Sequence, residues 1–284
     1  MAVLSNTGIR AGASGATAVD DTYRVKRSAR FNDDNIAYLN RTPATDGNKK
    51  KWTLSWWMKN TKTNDFRTIF MGLIDGNNRT QLSFDGAIGQ GTAGDTLTLF
   101  DITGGTQTSI FQTDMKFRDP SAWYHCVLIV DVDNGTTADK VQLWVNGERE
   151  TFSTYNAPTG DLWVNTANLH TIGQYGGATT NGPLAYDGYL ADIHLIDGLA
   201  KAATDFAEAD ETTGQWVPKE YEGTYGTNGF HLAMDPANGG VNYSSAALGP
   251  FGDVSIPGSV AYNGDLTYNG SPTIIPATIG TSRT

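Results

Sequence analysis

The stretch AWYHCVLIVDVDNGTTADKVQLWVNGERE, Ala122 to Glu150, restricts the fold more than any other part of the chain. Its first run, Trp123 to Val132, is too short and too β-branched for a surface helix. It is apolar at odd and even positions alike, as in a strand buried on both faces. After the turn at Asp133-Asn134-Gly135, Lys140 to Val145 alternates, with Val141, Leu143 and Val145 on one face and Gln142, Trp144 and Asn146 on the other. Asn146-Gly147 then supplies the positive φ angles of a tight hairpin turn. The stretch reads as strand, loop, strand, turn in an antiparallel all-β protein, with Trp123, Val127, Ile129, Val141 and Leu143 expected between sheets.

The same signal recurs along the chain. ARFNDDNIAYLNRT, KWTLSWWMK, RTIFMGLI, TQLSFDG, DTLTLFDI, NLHTIGQYG and LAYDGYLADIHLIDG are strand-like runs separated by Asp-Gly, Asn-Asn and Gly-Gly. The 284 residues, 33 of them glycine, suit one large two-sheet jelly-roll sandwich with extensions. One segment, Ala200 to Gly214, has a helical composition with Gly214 as its stop. Residues 1–27 are Gly, Ala, Ser and Thr rich and read as an arm; 28–236 form the sandwich; 237–284 form an irregular extension without a core.

Composition removes several functions. The lone Cys126 lies in the apolar run, so no internal disulfide forms and a core thiol is expected. The first residues lack a long apolar stretch and no run of about 18 apolar residues occurs, so neither a secretory signal nor a membrane span is expected. The net charge of −10 argues against nucleic acid. Residues 1–30 nonetheless carry five basic side chains against two acidic ones, so a basic arm precedes an acidic body. Arg24, Lys26, Arg27 and Arg30 are its candidate docking residues.

WYHCVLIVD, a loop and KVQLWVNGE resemble the central hairpin of laminin-G-like, concanavalin A-like jelly rolls, and YDGYLADIHLIDGLA resembles their closing strand. ARFNDDNIAYLNRTPATDGNKKKWTLSWWMK with TTGQWVPKEYEGTYGTNGFHLAMD is similar to such domains in marine bacteriophage structural proteins; the resemblance covers roughly residues 28–236. It implies a non-enzymatic protein on the virion exterior, a head decoration or cement component, with a glycan-recognising tail fibre or spike as the alternative. The implied partners are other virion proteins, sister copies in a homo-oligomer and a host surface glycan, with no cofactor.

No catalytic residue is expected. Glycoside hydrolysis needs two carboxylates facing each other, and the Glu-x-Asp-x-x-Glu pattern is absent; Glu208, Asp210 and Glu211 come nearest and lie in the helical candidate. His125, His170, His194 and His231 are scattered beside apolar runs without zinc-site spacing and read as core or edge histidines. The turn GQGTAG, Gly89 to Gly94, lacks the ending of a phosphate loop. Asp131, Asp133 and Asp75 lie in oxygen-rich turns that resemble calcium loops, but Asx turns give the same letters, so no metal is expected. The sequons at Asn40, Asn78, Asn134, Asn242 and Asn269 read as accidents of composition. For a glycan, Tyr175, Tyr155 and Trp163 are the candidate stacking platforms, Tyr175 first because it sits among glycines.

Overall fold

The computed structural model describes residues 23–35, 37–84, 94–176, 184–234 and 273–276. Residues 1–22 of the expected arm, 89–93 of the Gly89 turn, most of the tail and the sequons at Asn242 and Asn269 lie outside them. The described strands begin with β1 (Arg27–Phe31), β2 (Leu39–Arg41), β3 (Lys51–Asn60), β4 (Arg67–Asp75), β5 (Asn78–Phe84), β6 (Leu97–Thr103), β7 (Thr106–Thr113) and β8 (Tyr124–Asp131). They continue through β9 (Val141–Val145), β10 (Glu148–Arg149), β11 (Phe152–Asn156), β12 (Leu169–Ile172) and β13 (Gly188–Asp197). The last are β14 (Ala207–Ala209), β15 (Trp216–Pro218), β16 (Phe230–Leu232) and β17 (Thr273–Pro276). Helix among the described residues is limited to three 3-10 turns, and no helix is long and apolar enough to cross a membrane.

Two antiparallel sheets form the sandwich. The first runs β10-β9-β8-β3-β13-β1-β17, and β16 also pairs with β13; the second runs β11-β7-β6-β5-β4-β12-β2. The sequence alternation explains the core between them. Trp52, Leu54, Trp56 and Met58 of β3 and Cys126, Leu128 and Val130 of β8 face Phe70, Leu82, Phe84 and Leu99 of the second sheet. In the opening hairpin Asn146 and Gly147 have φ of 49° and 85°, the left-handed angles that Asn-Gly promised. The Cys126 thiol is buried, and burial holds its pKa well above the ordinary range.

β13 does not alternate simply. Leu190 faces the core, but so do Ile193 and Leu195, which a strict two-residue period forbids. A register shift between Ala191 and His194 inserts one residue, and Asp192 takes φ of 48° there. The bulge changes the parity, so His194 and Ile196 turn outward. It also marks a change of neighbour: β1 pairs with Gly188–Leu190 and β16 with Ile193–Leu195.

Three expectations change. Ala200 to Gly214 is not a helix: a 3-10 turn at Ala203–Asp205 leads into β14, which pairs with β15. The Asp205 carboxylate accepts from the Ala202 N–H, and Asp210 accepts from the N–H groups of Thr212 and Thr213. These local bonds compete with helical ones, while Phe206 docks, fully buried, on the first sheet. Secondly, Val141 and Leu143 lie between the sheets, but Val127 and Ile129 face the other way, into a separate cluster with Ile196, Phe206, Tyr221 and Tyr225. Trp123 is only partly buried, beside Trp57 and Val25. β8 is apolar on both faces because a third layer covers the sandwich. Finally, ordered contacts begin before β1: Val25 is buried and Tyr23 Oη donates to Asp192 Oδ1 at 2.8 Å.

Candidate functional site

The β11–β12 connection folds across the ends of β6 and β7. Its Trp163 is fixed at two points, the backbone N–H donating to Thr80 Oγ1 at 2.8 Å and the indole Nε1–H to the Ile102 carbonyl at 3.0 Å. Beside it lies a pocket of about 360 Å³, lined by Trp163, Asp101, Thr103 and Thr108, by Pro158 to Leu162, and by Lys49 from the approach to β3. An aromatic wall with carboxylate, ammonium and hydroxyl groups is the chemistry that receives a sugar's C–H face and hydroxyl rim.

Asp101 is 2% exposed, and its carboxylate is hydrogen-bonded by three hydroxyls. Oδ1 accepts from Thr80 Oγ1 at 2.6 Å, and Oδ2 accepts from Thr108 and Thr103 at 2.5 and 3.2 Å. Its pKa is raised because desolvation outweighs those three hydroxyl donors. Asp161 pairs with Lys49 at 3.0 Å. Sequence reasoning named Trp163 but missed Asp101 and Lys49, which lie 62 and 114 positions earlier and reach the pocket only through sheet pairing.

The other aromatic candidates are engaged elsewhere. Tyr155 stacks on Phe152 with 4° between the rings, donates to the Thr137 carbonyl at 2.7 Å and accepts from the Val141 N–H at 3.3 Å. It fastens β11 to the β8–β9 connection. Tyr175 is half-buried beneath the Arg79 guanidinium, 5.5 Å from its ring centroid.

The acidic turns are occupied by protein groups. Asp75 accepts from the Asn77 N–H and the Asn78 side-chain amide at 2.8 and 3.1 Å, an Asx turn. Asp131 pairs with Lys51 at 3.0 Å and Asp133 with Lys50 at 3.2 Å. Of the basic candidates, Arg30 is used within the chain, pairing with Asp187 at 2.5 Å and covering the Tyr189 ring. Arg27 lies in β1, while Arg24 and Lys26 are exposed.

The histidines keep their expected place in the core, but two of them are not scattered. All four are buried. His125 and His170 sit singly, but β13 and β16 bring His194 and His231 into a stack 4.0 Å between centroids beside Asp192. Spacing in the sequence could not show this, since 36 residues separate the two strands' histidines.

Residues 33–204 match the family described as the concanavalin A-like lectin/glucanases superfamily. A structure of a Bacteroides ovatus protein assigned to carbohydrate binding is similar at 17% identity and a TM-score of 0.51, covering 91% of this chain and 62% of that one. A heptameric pentraxin from Limulus polyphemus is similar at 15% identity and 0.44, covering 62% of this chain and 78% of that one. A tailspike protein from an Escherichia coli O157:H7 bacteriophage is similar at 16% and 0.40, covering 62% of this chain and 23% of that one. The curated protein sequences give no match. With more than half of its length matched and two antiparallel sheets packed face to face, the chain belongs to the concanavalin A-like lectin/glucanases superfamily.

Proposed function

We propose that the chain is a non-catalytic saccharide-binding module on the exterior of a bacteriophage particle. The observation that carries the binding reading is the pocket in which Trp163 stands beside Asp101 and Lys49. Trp163 supplies the apolar wall, Lys49 and Asp161 the polar rim, and Asp101 a charge held by three hydroxyls. The family's description names lectins, and the Bacteroides ovatus protein of similar fold is described as a carbohydrate-binding protein. Fold alone confers no activity, so the pocket's chemistry bears the weight.

The non-catalytic reading rests on the state of the two carboxylates. A glycosidase needs one free to attack or activate water and one able to give a proton. Asp101 is 2% exposed and accepts from three threonine hydroxyls, and Asp161 is ion-paired. The virion reading is supported by the resemblance of the flanking motifs at residues 29–59 and 212–235. Head decoration comes first, since the chain lacks the heptads or repeats of a fibre shaft. A tail receptor-binding module is the alternative, favoured if the pocket's ligand is a host glycan.

Titration of host surface polysaccharide into the parent and the Trp163→Ala variant tests the binding. A loss of at least about tenfold in affinity, with melting nearly unchanged, is expected. Equal binding by Trp163→Ala and loss in Tyr175→Ala would move the site; hydrolysis that disappears in Asp101→Asn would replace binding by catalysis. Locating the chain in a reconstruction of intact particles tests the rest: many copies on the head mean decoration, a few at the tail tip mean receptor binding, and none removes the virion reading.

A further inference from the structure

We infer that the Trp163 pocket selects uncharged saccharides, which donate hydroxyl protons into it, and turns away carboxylated or sulfated ones. The inference rests on the saccharide-binding reading and adds the chemical class of the ligand. It follows from two features of the pocket: where the protons of its lining already go, and what surrounds its lysine.

The side-chain protons beside Trp163 are committed to the protein. Thr108 Oγ1 donates to Asp101 Oδ2 at 2.5 Å, and Thr103 Oγ1 donates to the same oxygen at 3.2 Å. The indole N–H of Trp163 is shared between the Ile102 carbonyl at 3.0 Å and Thr103 Oγ1 at 3.2 Å. A hydroxyl has one proton and two lone pairs, so Thr103 and Thr108 meet a ligand as acceptors. Asp161, its side chain 51% exposed, adds carboxylate oxygens to the same rim. A sugar hydroxyl can donate to such groups, whereas an ionised carboxylate or sulfate has no proton to give. The indole, held at its N–H, offers the ligand a ring face and not a donor.

An anionic sugar needs a cation with free capacity. Among the described residues of the lining, Lys49 is the only cation. Its Nζ lies 3.0 Å from Asp161 Oδ2 and 3.5 Å from Asp46 Oδ2. Asp46 is fixed there, its Oδ1 accepting from the Ala167 N–H at 2.6 Å. The hydrogen bond to Asp161 comes first among the causes that raise the Lys49 pKa, as for an ammonium already matched by carboxylates. With Asp101 in the lining, three carboxylates border the pocket or its lysine against one ammonium. The chain's net charge of −10 adds a field of the same sign. A ligand anion therefore meets like charge, and a repulsive element of this kind discriminates between ligands as an attractive contact does.

The test titrates the full chain with matched oligosaccharides of the same ring and linkage in neutral, uronate and sulfated forms, in the gluco, galacto and manno configurations. At least one neutral form should bind, with its uronate and sulfated counterparts weaker by at least about tenfold at low salt. Added NaCl should narrow that gap, because screening acts on the repulsion and not on the fit of the ring. Asp161→Asn, which releases Lys49 from its partner, should move the uronate-to-neutral affinity ratio at least about fivefold toward the uronate. A charged form bound as tightly as its neutral counterpart overturns the inference and leaves the saccharide reading standing. So does a ratio that neither salt nor Asp161→Asn moves, since shape and not charge would then discriminate. Binding of no form, or binding that Trp163→Ala leaves unchanged, overturns the inference together with the pocket on which it rests.

Discussion

The two faces of the first sheet are built on different principles. Its inner face is almost wholly apolar: Leu54, Trp56, Leu128, Val130, Leu143 and Leu195 meet the second sheet. Its outer face carries Ser55, His125, His194 and Val127, covered by Phe206, Trp216, Tyr221 and Tyr225 from the chain after β13 and by Tyr23 and Val25 before β1. The inner layer is held by buried area, which accepts many apolar shapes of the right volume. The outer layer adds directed bonds to its apolar contacts: Trp216 Nε1 donates to His125 Nδ1 at 2.9 Å, and His125 Nε2 meets Ser55 Oγ at 2.9 Å. A polar layer with few alternatives fixes which segments dock and where.

The comparison breaks first at the inner face. Trp56→Ala should cost about 3 to 5 kcal/mol in chemical denaturation, the usual loss for a fully buried aromatic, while Trp56→Phe should cost much less. Equal losses would mean that the inner face, too, depends on a specific shape.

Acid should act through the buried histidines. His170 accepts the Asn165 N–H at Nε2, 3.0 Å away, and its Nδ1 meets the Asn168 carbonyl at 2.8 Å, so both nitrogens are already used in the neutral form. Burial, first of the causes, pushes its pKa down to about 4, and that of His125 down to about 3. The folded pKa lies below the unfolded value of about 6.5, so the unfolded chain takes the proton first and stability falls as pH falls below 6.5. Between pH 6.5 and 5 the loss from one such histidine is about 2 kcal/mol. Urea melts should show this slope in the parent and a shallower one in His170→Gln; equal slopes would show that His170 does not carry it.

Gly147→Ala probes the seam between the hairpin and the outer layer. Gly147 has φ of 85°, and a Cβ there would lie 2.7 Å from the Trp216 ring. A loss of about 1 to 2 kcal/mol is expected, with Trp216 fluorescence altered because the indole must move. The smallest effect belongs to calcium. The Asp131 and Asp133 carboxylates are paired with Lys51 and Lys50, so added CaCl₂ should leave the melting temperature nearly unchanged. A large rise that Asp131→Ala abolishes would reverse that reading.

Much of the fold could be read from local pattern. Alternation in Lys140 to Val145, the two-faced apolar run before it and the Asn-Gly turn are written in neighbouring residues, because side-chain direction in a strand has a period of two. Those signals placed the opening hairpin, the sheet class and the burial of Cys126. The same local logic erred at Ala200 to Gly214, where the letters favour helix and the docking of Phe206 wins.

The site was legible only in part. Trp163 stands out as an aromatic in a polar stretch, but nothing near it in sequence announces Asp101 or Lys49. The sequence by itself determined which residues could form strands, where the chain must turn and that a large apolar sandwich would result. Tertiary structure alone decided the parity change at Asp192, the covering of the outer face and the meeting of Asp192, His194 and His231. The reason is physical: pattern and turn chemistry act over a few residues, whereas strand pairing across tens of residues sets which polar groups share a buried space and must satisfy one another.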